Sequence, residues 1–166
     1  MLADLLAELR HLDERVEHYD RELQALASQS EPARRLMVID GIGPITATTL
    51  VASVGNAQVF KNGGQFAAWL GLTQRQHSSG GRSRLGRITK RGDRYLRTLL
   101  VHDARALLRF VDRKSDAKSA WAKRLKERRH VNVAAVALAA KHARIIWAML
   151  AKGTTYRPPA AGTSAA

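Results

Sequence analysis

Residues 36–54 read LMVIDGIGPITATTLVASV and indicate two short helices joined by a tight turn. Gly41 and Gly43 enclose one apolar residue, and Pro44 follows at a position where proline commonly starts a helix. Such a turn directs successive backbone N–H groups and a helix N-terminus outward, an arrangement that attracts anions such as phosphate. Glycine suits it because a side chain would keep an anion away from the backbone. The alternative is an ordinary corner between two helices, capped by glycines.

The glycine turn resembles the helix–hairpin–helix motif of proteins that bind DNA without regard to sequence. Apolar spacing around it predicts helices at 33–39, 45–54, 66–70, from Gly92 onward, at 117–129 and at 131–150. Residues 73–91 lack a periodic pattern, which predicts a loop or an irregular hairpin that is rich in basic residues. No alternating run of useful length predicts a strand. The fold class is therefore mainly α, with a small helical domain at 31–152.

The segment before this domain carries a heptad repeat. Its apolar residues have a positions at Leu2, Leu9, Val16 and Leu23 and d positions at Leu5, Leu12, Tyr19 and Leu26. An unbroken apolar seam this narrow predicts a coiled-coil helix at residues 1–30 that pairs with another helix, in the same chain or in a second copy, and a homo-oligomer is the expected partner arrangement. The alternative is an amphipathic helix that folds onto its own domain.

Charge is distributed unevenly along the chain, whose formal net charge is +14. Residues 1–35 hold five basic and eight acidic side chains, whereas residues 36–166 hold 23 basic and six acidic ones. Because the excess of basic over acidic residues is confined to residues 36–166, we expect that part of the chain to bind a polyanion. DNA is the first candidate.

Composition excludes several kinds of site. The chain has no cysteine, which rules out a disulfide framework and a thiolate zinc site. Its six histidines are scattered without ligand spacing to a carboxylate, so we expect no metal site and no cofactor within this sequence. The N-terminus lacks a signal-peptide pattern, and the longest apolar run, 133–140, is too short to span a bilayer. We therefore expect a cytoplasmic protein without a membrane partner, ending in a disordered tail at 153–166.

A second stretch, residues 69–97, combines serine with arginine and reads WLGLTQRQHSSGGRSRLGRITKRGDRYLR. The basic side chains around Ser78 and Ser79 are Arg75, Arg82, Arg84, Arg87, Lys90, Arg91, Arg94 and Arg97. Arginine binds phosphate through paired hydrogen bonds and stabilises the charge that develops when a hydroxyl attacks a phosphodiester. Serine needs such activation to act as a nucleophile. The alternative is a basic loop in which the serines only shape a turn.

Residues 36–109 resemble the C-terminal domain of transposases of the insertion-sequence family 110/116/902. The glycine turn, AAWLGL at 67–72, SSGG at 78–81, LGRITKRGD at 85–93 and YLRTLLV at 95–101 follow the order and spacing of that family. The likeness continues more loosely through WAMLAKGTTYRP at 147–158. Together these stretches are specific, although GIGP alone is not.

The resemblance implies DNA recombination by two cooperating parts. Family members have an N-terminal domain of ribonuclease-H type whose four carboxylates hold Mg²⁺. A coiled coil leads from it to a C-terminal domain whose serine attacks DNA and forms a phosphoserine link. At least some members are guided by a structured RNA from their own element. Carried over by motif, the catalytic serine is Ser79, with Ser78 as the fallback. From the form of the glycine turn and the charge of residues 69–97, we expect Gly41, Gly43 and the eight basic residues named above to bind DNA.

The carboxylate domain of that family has no counterpart in this sequence, in which Asp40, Asp93 and Asp103 are isolated. We expect a truncated copy or a fragment that binds DNA and lacks recombinase activity on its own, with Mg²⁺ needed only by the missing domain. Two alternatives stay open. One is a non-enzymatic helix–hairpin–helix module that binds nucleic acid, and the other is a regulatory remnant that pairs with an intact transposase.

Overall fold

The structure, a computed structural model, describes residues 1–79 and 82–157, with side chains there except at 77–79 and 82–85. Within those residues the chain forms seven α-helices and one two-stranded sheet, so the mainly α fold class is confirmed. The elements are α1 (Leu2–Gln29), α2 (Glu31–Leu36), α3 (Pro44–Val54), α4 (Gly63–Trp69), β1 (Gln74–Ser79), β2 (Arg82–Ile88), α5 (Arg94–Phe110), α6 (Ala117–Arg128) and α7 (Val131–Lys152). The predicted tail lies mostly outside the described residues.

Helices α5 and α7 pack against each other at the centre of the core. Helix α5 turns one apolar face inward, and Leu96, Leu100 and Leu107 on that face are buried. The facing side of α7 is built largely from alanines, which let two helices approach closely. The buried alanines of α7 are Ala134, Ala135, Ala139, Ala140 and Ala143.

Side-chain caps fix where several helices begin. The Asn62 carboxamide oxygen accepts from the Gln65 amide at 2.9 Å at the start of α4, and the Asp93 carboxylate accepts from the Leu96 amide at 2.8 Å at the start of α5. Ser30 alone separates α1 from α2, so α2 begins at Glu31 and not at residue 33 as predicted. Predicted helices and observed helices otherwise differ only in their ends.

Within the predicted stretch 73–91, the described segments β1 and β2 pair as antiparallel strands, which agrees with the second of the two predicted alternatives, an irregular hairpin. Gln74 lies opposite Ile88 and Ser79 opposite Arg82, with a shift of register between residues 74 and 76. The pairing continues beyond the strands, because the Lys90 amide donates to the Gly71 carbonyl at 3.1 Å. These strands have no alternating apolar pattern, which is why the sequence did not predict them as strands.

Helix α1 joins the domain only at its C-terminal end, where Ala27 is buried. It contacts α2 and α3 there. The domain does not cover the heptad seam: its a and d residues are exposed except Leu23, which is half-buried. The exposed members are Leu2, Leu5, Leu9, Leu12, Val16, Tyr19 and Leu26.

Helix α7 is longer and more apolar than the run at 133–140 indicated. Its 22 residues and a mean hydropathy of 1.5 meet the length and composition of a membrane span. Half of that apolar window is buried inside the protein, where α7 packs against α4 and α5. In this fold, the buried apolar residues of α7 therefore form part of the hydrophobic core.

Candidate nucleic-acid interface

Two glycines let the hairpin leave the domain between α4 and α5. Gly71 has φ +70 and Gly92 has φ +125, both in the left-handed region. A Cβ on Gly71 would lie 2.5 Å from the Arg91 carbonyl oxygen, and a Cβ on Gly92 would overlap the Trp69 carbonyl oxygen. The two ends of the hairpin therefore cross in backbone contact directly before α5, which fixes the base of the hairpin.

The predicted catalytic serine lies at the other end of the hairpin. Ser79 is the last residue of β1 and pairs with Arg82, while Ser78 pairs with Ser83. About five residue steps of roughly 3.3 Å separate Ser79 from Gln74 at the base, a distance of about 17 Å. The side chains of Ser78, Ser79, Arg82 and Arg84 lie outside the described residues, so the role of this serine stays a prediction.

The basic residues near the hairpin base differ in what they contact. Arg97 is half-buried, and its guanidinium donates to the Leu70 carbonyl at 3.0 Å, which ties α5 to the end of α4. Arg75 donates to the Thr89 carbonyl at 3.4 Å along the hairpin. Arg97 therefore has a structural role that the sequence did not reveal. Five basic side chains of the stretch are exposed: Arg75, Arg87, Lys90, Arg91 and Arg94.

The glycine turn lies farther along α5 than the hairpin. Gly41 has φ +91, and a Cβ there would lie 3.1 Å from the Asp103 carbonyl oxygen. Gly43 caps α3 with φ −91, and nothing lies within 4 Å of where its Cβ would stand. Arg97 and Asp103 are separated by six residues of α5, or about 9 Å along its axis. The glycine turn and the hairpin base, the two predicted DNA-binding regions, therefore contact α5 at different points and do not form a single site.

A carboxyl group lies between the glycine turn and α5. The buried Thr46 side chain is hydrogen-bonded to Asp103, whose other oxygen, Oδ2, has no hydrogen-bond partner among the described residues. Burial raises the pKa of Asp103 to about 6, against the lowering effect of the Thr46 hydrogen bond. Because Thr46 is in the first turn of α3, this carboxyl already lies at the positive end of that helix. The side of the turn at Gly43 is open, because nothing lies within 4 Å of the position of its Cβ.

The other two acidic residues noted in the sequence have separate structural contacts. The Asp40 carboxylate pairs with the Lys114 ammonium at 2.7 Å, and Asp93 caps α5. No group of three or more His, Asp or Glu side chains that could hold a metal is found in the described part of the chain. The donor set that Mg²⁺ prefers is thus not assembled there.

Two basic side chains point into the protein and add nothing to its basic surface. Lys118 is 2% exposed and His142 is 0% exposed. Burial lowers the pKa of His142 to about 3 and also lowers the pKa of Lys118. Neither the Lys118 ammonium nor the His142 ring has a hydrogen-bond partner within the described residues. His142 is therefore neutral at physiological pH.

Sequence reasoning missed a second set of cations near the hairpin base. Lys141 and Arg144 on α7 line a cavity together with Arg87 and Lys90 from the hairpin. The two pairs are about fifty residues apart in the chain, and the α7 segment was interpreted only as core. The sequence feature that could have indicated these cations is the spacing of Lys141 and Arg144, which are three residues apart in a mostly apolar helix and therefore lie on one side of it.

A family model for the Transposase IS116/IS110/IS902 family matches residues 33–124. The "Probable family 20 transposase" of Pseudomonas aeruginosa is 52% identical over 158 residues, covering 95% of this chain and 47% of that protein. The "Transposase for insertion sequence element IS1111A" of Coxiella burnetii is 50% identical over 153 residues, covering 92% of this chain and 42% of that protein. The "Insertion element IS116 uncharacterized 44.8 kDa protein" of Streptomyces clavuligerus is 27% identical over 158 residues, covering 95% of this chain and 39% of that protein.

The matched region contains the glycine turn, the hairpin and α5, which are the parts that form the candidate interface. The chain spans less than half the length of these curated relatives.

Proposed function

This chain belongs to the IS116/IS110/IS902 family of transposases, and we propose that it is the DNA-binding, serine-bearing part of an insertion-sequence transposase. The similar proteins named as transposases extend well beyond the region matched by this chain. We therefore assign the DNA contacts and the nucleophile to this chain, and metal binding to a different part of a complete recombinase.

The observation that carries this proposal is the form of the hairpin. It projects from the domain with Ser79 at one end and five exposed cations around the other. Phosphate contacts from arginine and lysine position a protein on DNA without reading its sequence. A strand of DNA that follows the hairpin would pass from these cations to the serine.

The chemistry proposed for Ser79 is phosphoryl transfer to its hydroxyl. A bond forms between Ser79 Oγ and a backbone phosphorus as the bond from that phosphorus to one sugar oxygen breaks. The serine proton ends on the departing sugar oxygen, so the products are a phosphoserine diester and a free DNA hydroxyl. Arginines near the reacting phosphate would stabilise the charge of the transition state. The described residues contain no group of His, Asp or Glu side chains that could hold Mg²⁺, so the serine and the basic side chains are the groups this chain would contribute to the step.

A covalent adduct tests this chemistry. The chain would be supplied with the metal-binding domain of a family member, element-end DNA and Mg²⁺, and the mixture would be denatured to detect DNA attached to protein. We expect Ser79→Ala to abolish the adduct and to bind DNA almost as well, because one neutral hydroxyl adds little beside many charged contacts.

Ser78→Ala is the matched control for Ser79→Ala, since it removes the neighbouring hydroxyl. Retention of the adduct by Ser79→Ala and its loss in Ser78→Ala would move the nucleophile by one residue. An adduct in both variants would overturn the serine mechanism.

DNA binding by the chain alone has a separate test. Neutralising about five phosphates predicts a slope of roughly −4.5 in a plot of log affinity against log salt concentration. Fluorescence anisotropy with two unrelated duplexes of equal length would measure the slope and the sequence preference together. We expect a steep slope and similar affinities. A flat response would show that phosphate contacts are not the main source of affinity.

A second proposal concerns α1, which we propose pairs with α1 of another copy or of an intact transposase. The observation that favours it is the exposed seam, since seven of its eight apolar residues are uncovered. Burying such a seam is the main driving force of coiled-coil association.

Replacing Leu9 and Val16 by Asp should give a monomer in sedimentation while DNA binding stays. Replacing Glu8 and Glu17 by Gln changes α1 outside the seam and should leave the mass unchanged. Equal masses for the seam variant and the unaltered protein would disprove pairing through α1.

A further inference from the structure

A cavity of about 1020 Å³ lies between the hairpin base, α6 and the N-terminal half of α7. Its hairpin side includes Gln74 and Ile88, which are paired with each other at the base of the sheet. Its α7 side includes Val133, which is 49% exposed although it is a large apolar residue. Its volume is at the upper end of the range for sites that hold small organic ligands.

The lining combines an apolar floor with a positively charged rim. Val133, Val136 and Ala140 of α7 form the floor. The indole of Trp121 forms an adjoining wall, and the Lys141 ammonium lies over its ring, 4.5 Å from the ring centre. The cations on the rim are Arg87, Lys90, Lys141 and Arg144. No carboxylate is among the described residues that line the cavity, so its charge is of one sign.

We propose that this cavity holds one unpaired nucleotide of the DNA strand that the hairpin binds. The inference rests on the proposed function of the hairpin. A nucleobase is flat and largely apolar on its faces, so it suits the apolar floor beside the indole, while its phosphate suits the cations, of which Lys141 already lies over the indole ring. Gln74 also lines the cavity and could accept or donate hydrogen bonds at a base edge. The Asn132 carboxamide oxygen accepts from the Arg105 guanidinium at 3.1 Å, so Asn132 could offer its amide nitrogen as a donor.

Helix α1 of a second copy is a poorer occupant for the same cavity. Its acidic residues would also suit the cations, but its 28 residues span about 42 Å. The α7 residues that line the cavity, from Asn132 to Arg144, span only about 18 Å. Most of the α1 seam would remain exposed in such a complex.

The position of the cavity defines which nucleotide it would take. Its hairpin wall is at the Gln74 end, about 17 Å from Ser79 along the strand. DNA advances about 3.4 Å per nucleotide along a duplex strand. The unpaired nucleotide is therefore on the order of five positions from the phosphate that Ser79 would attack.

The test compares two duplexes that differ by one extrahelical 2-aminopurine nucleotide. The full chain should bind the duplex with the extra nucleotide about tenfold more tightly than the fully paired duplex, as expected for one buried and stacked base. Fluorescence of the 2-aminopurine should fall on binding, because stacking quenches it. The fall should be smaller in Trp121→Leu.

Ala137→Trp would fill the cavity from α7, since Ala137 lines it and is only half-buried. We expect this variant to lose the tenfold preference and to keep its affinity for the paired duplex. Val131→Trp is the matched control, because Val131 is 45% exposed at the start of the same helix and does not line the cavity. It should keep the preference.

The outcomes separate this inference from the proposed function. Failure to bind either duplex would overturn DNA binding itself. Equal binding of both duplexes by the unaltered protein would overturn only the nucleotide site. A change of oligomeric mass in Ala137→Trp, with the preference intact, would identify the cavity as a protein interface and overturn the nucleotide site as well.

Discussion

Two glycine-bearing regions contact α5, and they use glycine for different reasons. At the hairpin base, Gly71 and Gly92 are required because other backbone atoms occupy the space beside them. In the glycine turn, Gly41 is constrained by Asp103 and by its own positive φ, whereas Gly43 faces open space in an ordinary conformation. A glycine whose Cβ position is occupied by other backbone atoms, such as Gly71 or Gly92, is required by the fold. A glycine with open space beside it and an ordinary φ, such as Gly43, is not required by the fold.

The largest expected effect is on Gly92. Gly92→Ala introduces a Cβ that overlaps the Trp69 carbonyl at a φ of +125. We expect the free energy of unfolding to fall by about 3 to 4 kcal/mol, because both steric overlap and backbone strain oppose the native structure. Urea denaturation followed by circular dichroism measures this change.

Gly153→Ala is the control for backbone strain alone. Gly153 has φ +67 and nothing within 4 Å of its Cβ position. We expect a loss of about 1 kcal/mol. Similar losses in both variants would mean that the close crossing at the hairpin base does not contribute to stability.

Gly41→Ala should have an intermediate effect. The residue combines φ +91 with a contact of 3.1 Å to the Asp103 carbonyl oxygen, which would have to yield slightly. We expect a loss of about 2 kcal/mol in the free energy of unfolding. A variant as stable as the unaltered protein would show that α5 is free to move away from the turn.

Asp103→Asn should change how stability depends on pH. Since burial raises the pKa of Asp103 from 3.8 to about 6, the folded state favours the protonated carboxyl. Its contribution is fully present below pH 4 and is lost as the pH rises through about 6. Asparagine does not ionise, so the variant should gain about 1 to 2 kcal/mol relative to the unaltered protein between pH 4.5 and pH 7.5, a figure reduced for partial exposure.

Urea unfolding at the two pH values measures the effect of Asp103→Asn. Asp112→Asn serves as a control that should show almost no trend between these two pH values, because a hydrogen bond from Lys126 lowers the pKa of Asp112 and its carboxyl is ionised in both the folded and the unfolded chain there. The same pH trend in both variants would indicate a general effect of charge and not burial at Asp103.

The smallest effect on stability is expected at Gly43. Nothing lies within 4 Å of its Cβ position and its φ is −91, so Gly43→Val should lower the free energy of unfolding by less than about 1 kcal/mol, the cost of a poorer N-cap residue. If the turn binds phosphate, however, the added side chain should weaken DNA binding about fivefold, and Gly43→Ala should weaken it less. Unchanged affinity in both variants would show that the turn is only a structural corner.

The helical part of the fold was predictable because its signals are local. The inward face of α5 follows from the spacing of Leu96, Leu100 and Leu107, and the start of α5 follows from Asp93, which caps it. The glycine turn was also visible in the sequence. The sequence could not show that Gly41 is held against α5 while Gly43 faces open space, because that difference depends on where α5 lies.

The candidate site was less predictable because it depends on contacts between distant segments. The charge of Arg97 is visible in the sequence, but its hydrogen bond to the Leu70 carbonyl requires the crossing of the hairpin base. The cavity is lined by residues of the hairpin and of α7, which are far apart in the chain. The hairpin strands are polar on both faces, so they show no alternation of apolar and polar residues by which strands are predicted. Identification of Ser79 came from family motifs and not from spacing.

The position of α7 in the chain has a consequence for synthesis. This helix packs against α2, α4 and α5, and it supplies the alanine side of the core. A ribosome would therefore have to release residues up to about 150 before the apolar faces of the earlier helices are covered. Helix α1 leaves the ribosome before α2 to α7, and its apolar seam does not depend on α7. Two chains being synthesised on the same messenger RNA could therefore associate through α1 before the core of either chain has folded.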